Sequence, residues 1–146
     1  MKLISHRGNL IGPMPNLENN PSYISDAINA GFDVEVDFWF SSNDLYLGHD
    51  SPIYKITDDF LKMHVDKLWI HCKNLDGLIY LSKSDYNYFW HQEDDFTLTS
   101  KEKIWTYPNK EVVTESIIVC QDLQSTKDMS KKNLYGICSD YIGVLK

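Results

Sequence analysis

An α/β fold with mostly parallel strands is what this sequence predicts, and three observations carry that reading. Short apolar segments of strand length alternate with segments of helical spacing along the chain. One of them, Val34 to Phe40, alternates apolar and polar residues without a break. Polar groups stand at the ends of successive strands or in the turns after them, where parallel α/β folds collect their reacting groups.

The elements follow in order. Leu3 to Ser5 reads as a strand running into His6-Arg7-Gly8, and the Gly- and Pro-rich GNLIGPMPN after it reads as a loop. Asn20 is the expected N-cap of the first helix, with Pro21 at its first position, Ile24, Ala27 and Ile28 on its apolar face, and Gly31 as its stop. Val34, Val36, Phe38 and Phe40 then alternate with Glu35, Asp37 and Trp39. SSND makes a turn, LYLGHD a short strand, and TDDFLKMHV a helix begun by Thr57 or Asp58. KLWIHCK, YNYFW, KIWTY and SIIVC are short strands, and YGICSDYIGVL is the last. NLDGLIYLSK and DMSKKNLY are the helices between them. The total is about seven barrel-type strands and about four helices.

At 146 residues with 42% hydrophobic content, the chain is long enough for one core and short for two, so residues 1–146 are read as a single domain. A formal net charge of -7 leaves no basic stripe for a nucleic-acid backbone and no polybasic cluster for an anionic membrane. The expected partner is therefore a small molecule, with neither nucleic acid nor stable membrane association. An anionic ligand would need a cation or a few placed basic side chains. Cys72, Cys120 and Cys138 are odd in number and far apart, which fits reduced thiols. Arg7 interrupts the opening segment before any long apolar run, so a cytoplasmic location is expected.

The chemistry concentrates in four places: His6-Arg7, Glu35 with Asp37, His49-Asp50, and His71 with Lys73. Glu35 and Asp37 are two apart on a strand, so they leave one face roughly 7 Å apart, near enough to grip one hard cation. His71 and Lys73 repeat that geometry on a later strand. Displacement at phosphorus calls for such a set. A metal and fixed cations stabilise the growing negative charge, and two imidazoles take and give protons. Taken singly, each group has a plainer reading. An acidic pair on an alternating strand is a solvated face, and His beside Asp in a turn makes local hydrogen bonds. The conjunction favours the site.

His6-Arg7-Gly8, Glu18-Asn19, Glu35-Val36-Asp37, Asn43-Asp44 and His49-Asp50 resemble, in order and approximate spacing, the pattern of the glycerophosphodiester phosphodiesterase family. LWIHCKN, IWTYPN with Trp105-Thr106, and the closing Asp140-Tyr141 continue the resemblance more weakly. The resemblance implies a TIM-type (β/α) barrel in which Glu35 and Asp37 bind a divalent metal, commonly calcium or magnesium. It implies that His6 and His49 are the acid and base, and that Arg7 and Lys73 hold the phosphate oxygens. Glu18 would orient Arg7 or touch the substrate, and Trp105 would form an apolar wall of the mouth or simply pack in the barrel.

Two departures shape the expectations. The family's third metal ligand is a carboxylate, and the matching residue here is His71, whose nitrogen suits Mg, Mn or Zn better than Ca. Alternatively, His71 turns inward on a hydrogen bond and the two carboxylates hold the ion with waters. The second departure is length, since such a barrel takes ~250 residues. A shortened or incomplete barrel is therefore expected, stripped of helices in its second half, with a homo-oligomer covering the exposed strands. The expected activity is hydrolysis of a small phosphodiester to a phosphomonoester and an alcohol, by attack of water or of a hydroxyl within the substrate. A non-catalytic phosphate-binding module and a phospholipase are the alternatives.

Overall fold

The computed structural model describes residues 1–146. In chain order the elements are β1 (Lys2–His6), α1 (Pro21–Asn29), β2 (Asp33–Ser41), β3 (Asp44–Leu47), β4 (Tyr54–Ile56), α2 (Asp58–Met63), β5 (Leu68–Cys72), α3 (Leu75–Ser82), β6 (Tyr88–Trp90), β7 (Phe96–Leu98), β8 (Ile104–Thr106), β9 (Ser116–Cys120), α4 (Leu123–Met129) and β10 (Gly136–Ser139), followed by a 3-10 turn, Ile142–Leu145.

Seven strands run parallel in the order β6-β5-β2-β1-β10-β9-β8. Because β10 lies beside β1, the sheet curls back on itself into a half-barrel with its first and last parallel strands at the centre. Antiparallel β3 and β4 extend the distal half of β2, and antiparallel β7 lines β8. The outer strands approach each other through the β7 segment. Thr97 Oγ1 donates to the Trp90 carbonyl at 2.8 Å, and Ser100 N donates to the Tyr88 carbonyl at 2.8 Å.

Local chemistry explains most boundaries. The Asn20 side chain accepts from Ser22 N, and Pro21 starts α1 where its missing N–H costs nothing. Ser42 and Asn43, at φ 52 and 64, form the two-residue left-handed turn that matches hairpin twist, so β2 and β3 pair in register from Ser41–Asp44 outward. Asn74 caps α3 by accepting from Gly77 N, and its amide exchanges hydrogen bonds with both backbone groups of Phe40, tying the helix to the end of β2. The expected helix over DMSKKNLY is wrong. The helix is α4, which starts five residues earlier and ends six residues earlier, because Asp122 and Ser125 form a reciprocal capping box and start it there. The short strands β4 and β7 are not foreseen by periodicity, and the closing segment is strand only to Ser139.

Helices α1, α2 and α3 cover the convex face of the first half through Ile24, Ala27, Leu61 and Leu81, packed on Val34, Val36, Phe38 and Ile70. The concave face holds a second cluster, with one residue from each of six strands: Ile4, Trp69, Phe89, Trp105, Ile117 and Cys138. Phe89 stacks on Trp105 with ring centres 4.4 Å apart and on His71 at 5.1 Å. No helix lies between β6 and β9, and Phe96, Leu98 and Val113 are correspondingly exposed. No helix is long and apolar enough to cross a membrane.

The interior cluster sits directly beneath the polar residues described next, so its packing sets their height. Phe89→Ala is expected to cost about 3–5 kcal/mol of unfolding free energy in urea titration. A loss below about 1 kcal/mol would mean that the interior collapses around the gap and is not close-packed.

Candidate active site

The carboxyl ends of the parallel strands open into a polar cleft of about 590 Å³. Strand β1 delivers His6 and, at its exit, Arg7; β2 delivers Glu35 and Asp37; β5 delivers His71 and, one residue on, Lys73. Register explains the grouping, because His6 lies opposite Glu35 and His71 lies opposite Asp37. The even spacing along β2 sends Val34, Val36 and Phe38 to the helices and the two acids to the concave face. His49 reaches the same cleft from the β3–β4 turn. Gly48 N donates to the Asp37 carbonyl and Trp39 Nε1 donates to the Gly48 carbonyl, which pins that turn against β2.

The floor is a set of three ligand-type groups. One oxygen each of Glu35 and Asp37 and a ring nitrogen of His71 lie within 4.8 Å of one another. His71 Nδ1 is 3.2 Å from Asp37 Oδ1 and 3.6 Å from Glu35 Oε1. Its Nε2 donates to the His91 carbonyl at 2.7 Å. A carbonyl only accepts, so Nε2 carries a proton and Nδ1 is the nitrogen turned toward the acids. This is the outer hydrogen bond that metal-ligating imidazoles use to fix their orientation.

Two buried carboxylate oxygens, Glu35 Oε2 and Asp37 Oδ1, accept no well-formed hydrogen bond from the chain and have only charged nitrogens nearby, His6 Nε2 at 3.8 Å from the first and His71 Nδ1 at 3.2 Å and Lys73 Nζ at 3.6 Å from the second. Both oxygens therefore keep acceptor capacity for a ligand. A divalent cation between them would satisfy both, and the mixed O/N donor set fits Mg, Mn or Zn. Burial works against the His71 cation, but the Asp37 and Glu35 carboxylates beside Nδ1 outweigh that and push it up to about 9. Binding of a metal at Nδ1 would displace this proton.

Around the floor the basic groups are held by acids. Arg7 Nε lies 2.8 Å from Asp37 Oδ2, its terminal NH1 lies 3.3 Å from Glu18 Oε2, and Lys73 Nζ lies 3.6 Å from Asp37 Oδ1. Burial alone would raise the Asp37 carboxyl, but the adjacent His71 ring and the charges of Arg7, His71 and Lys73 hold it well below the usual carboxylate range. Desolvation disfavours the His6 cation, yet the Asp140 carboxylate on Nδ1 at 2.9 Å, joined by the Glu35 charge, leaves it more basic than a free imidazole. Its Nε2 is 3.8 Å from Glu35 Oε2 and faces the cleft.

All nine candidate residues but Glu18 line this cleft or its buried floor, and Glu18 Oε2 stands 3.3 Å from Arg7 NH1. Trp105 lines the cleft and stacks on Phe89 in the interior. Several residues were not anticipated. Asp140 partners His6; buried Asn9 donates to both Glu18 and Asp140; buried Asn19 grips Asp37; and His91 and Tyr107 stack at the rim. Asp140 was visible as an acid just beyond the last strand, the position that already singled out the others. Asn19 was part of the Glu18-Asn19 motif but carried no assigned role, and Asn9 gave no signal beyond adjacency to His6-Arg7-Gly8.

A larger concavity, about 700 Å³, lies outside the sheet between α2 and α3. Its central acid, Asp58, is already satisfied by Tyr80, Tyr86 and Lys62. The polar cleft, which gathers the titratable groups, is the candidate site despite its smaller volume. No protein-family profile matches the chain, and neither a curated protein nor a solved structure is significantly similar to it.

Proposed function

We propose that this chain is a divalent-metal-dependent phosphodiesterase that hydrolyses a small, glycerophosphodiester-like diester, and that its curled sheet is a shortened TIM-type barrel. The observation that carries the reading is the buried carboxylate pair of Glu35 and Asp37, each with an oxygen that accepts no well-formed hydrogen bond, clustered with His71 on the floor of a cleft walled by His6, Arg7 and Lys73. The barrel reading rests on seven parallel strands in chain order around the curl.

When bound by Glu35, Asp37 and His71, the ion supplies positive charge where negative charge grows on phosphoryl oxygen. Arg7 keeps Nε against Asp37 and NH1 against Glu18, which leaves the rest of its fork free for a phosphate oxygen. Lys73, just past the end of β5, adds a compact second cation. His6, oriented through Nδ1 by Asp140, presents Nε2 to take a proton from the attacking hydroxyl, whether of water or of the substrate. His49, 43% exposed at the rim and hydrogen-bonded to Asp50 at 2.8 Å, is placed to hand a proton to the departing alcohol.

Turnover separates this reading from a phosphate-binding module on the same scaffold. Hydrolysis of an activated diester is expected to stop after metal removal with a chelator and to return with Mg, Mn or Zn. Asp37→Asn should require much more metal for the same rate. Full turnover by thoroughly demetallated protein would contradict the proposal.

A further inference from the structure

Asn19 is wholly buried, sits in a loop, and adopts a left-handed backbone at φ 64. It makes two hydrogen bonds to one residue. Its Nδ2 donates to Asp37 Oδ2 at 2.9 Å, and its Oδ1 accepts from Asp37 N at 2.9 Å. Arg7 is left-handed as well, at φ 56, and its carbonyl accepts from Asn19 N at 3.1 Å. Two strained residues are thus fastened together, and both aim side chains at the same oxygen, with Arg7 Nε 2.8 Å from Asp37 Oδ2.

The consequence lies in what remains of Asp37. With Asn19 and Arg7 both on Oδ2, the carboxylate cannot rotate about its last torsion without breaking two contacts. Its other oxygen, Oδ1, accepts no well-formed hydrogen bond and faces the site, with His71 Nδ1 at 3.2 Å and Lys73 Nζ at 3.6 Å. A free carboxylate can present either oxygen or both to an ion. This one is held to present Oδ1 alone. A left-handed non-glycine residue costs on the order of 1–3 kcal/mol, and such strain concentrates at sites that use it.

We propose, resting on the metal-site reading above, that Asn19 is a positioning residue that fixes Asp37 as a single-oxygen metal ligand and ties its orientation to the phosphate-binding Arg7. Asn19 touches neither metal nor substrate in this assignment. It acts through Asp37.

Mn²⁺ binding followed by electron paramagnetic resonance tests this without reference to turnover, alongside thermal unfolding of the metal-free proteins. Asn19→Gly keeps the left-handed backbone free of strain while removing the amide. Its Mn²⁺ affinity is expected to fall about 10- to 100-fold, as for other residues that orient a ligand from outside the coordination sphere. Asn19→Asp keeps the volume and the acceptor for Asp37 N but loses the donor to Oδ2. It too should bind at least about 10-fold more weakly, and it should melt below the parent because two buried carboxyls then stand about 2.9 Å apart. Either variant folding and binding Mn²⁺ like the parent would overturn the assignment. Loss of fold in both would make Asn19 a structural residue and overturn it equally. A parent protein that binds no Mn²⁺ would instead remove the metal reading itself.

Discussion

His6→Ala is expected to lower turnover by about 10²- to 10⁴-fold, the range of a positioned acid–base group, and by the same factor for every diester tried. The reason is placement. His6 Nδ1 is committed to Asp140, and its Nε2 looks across the cleft toward Glu35, on the floor where a nucleophile would be held. A base acting on the nucleophile matters whichever alcohol departs. Asp140→Asn should have a smaller effect with its own signature. The amide oxygen still accepts from His6 and Asn9, but the charge that makes His6 more basic is gone. The His6 pKa then drops, and the acid limb of the pH–rate profile moves to lower pH. An unshifted acid limb in Asp140→Asn would detach that limb from His6.

The second large effect concerns His49, and it depends on the leaving group. His49→Ala should lose about 10²- to 10⁴-fold on a diester whose departing alcohol is glycerol or choline, because that oxygen must be protonated as it leaves. With p-nitrophenolate, which departs unprotonated, the loss should be much smaller. The half-exposed position of His49 at the rim suits this role, since a leaving group must exit through the mouth. Equal losses on both substrates, with weakened metal binding, would move His49 from proton transfer into the coordination sphere.

What the sequence disclosed and what it concealed divide along one physical line. Alternation along β2 disclosed both acids and their common face, because the period of a strand is a local property. The strand-end placement of His6, His71 and Lys73 was equally legible, as was the loss of helices in the second half. Concealed residues act across sequence distance: Asp140 meets His6 from the opposite end of the chain, and Asn19 meets Asp37 from a loop. Their roles exist only once β10 closes against β1 and that loop folds over β2. Helix α4 was misplaced for a different reason. LQSTKDM has little apolar periodicity, so the side chains that cap its start, rather than a hydrophobic face, decide where it lies.

The central claim is that the carboxylate pair and His71 serve phosphodiester hydrolysis, and phosphorus NMR observes that directly. A glycerophosphodiester incubated with the Mg- or Mn-loaded protein should lose its diester resonance and gain that of a phosphomonoester, either at once or through a cyclic phosphate. Chelator should stop the conversion, and Glu35→Gln or Asp37→Asn should slow it severely. A diester resonance that persists unchanged across a panel of glycerol, nucleotide and sugar diesters, with metal demonstrably bound, would contradict the claim and leave the cleft as a phosphate-binding site.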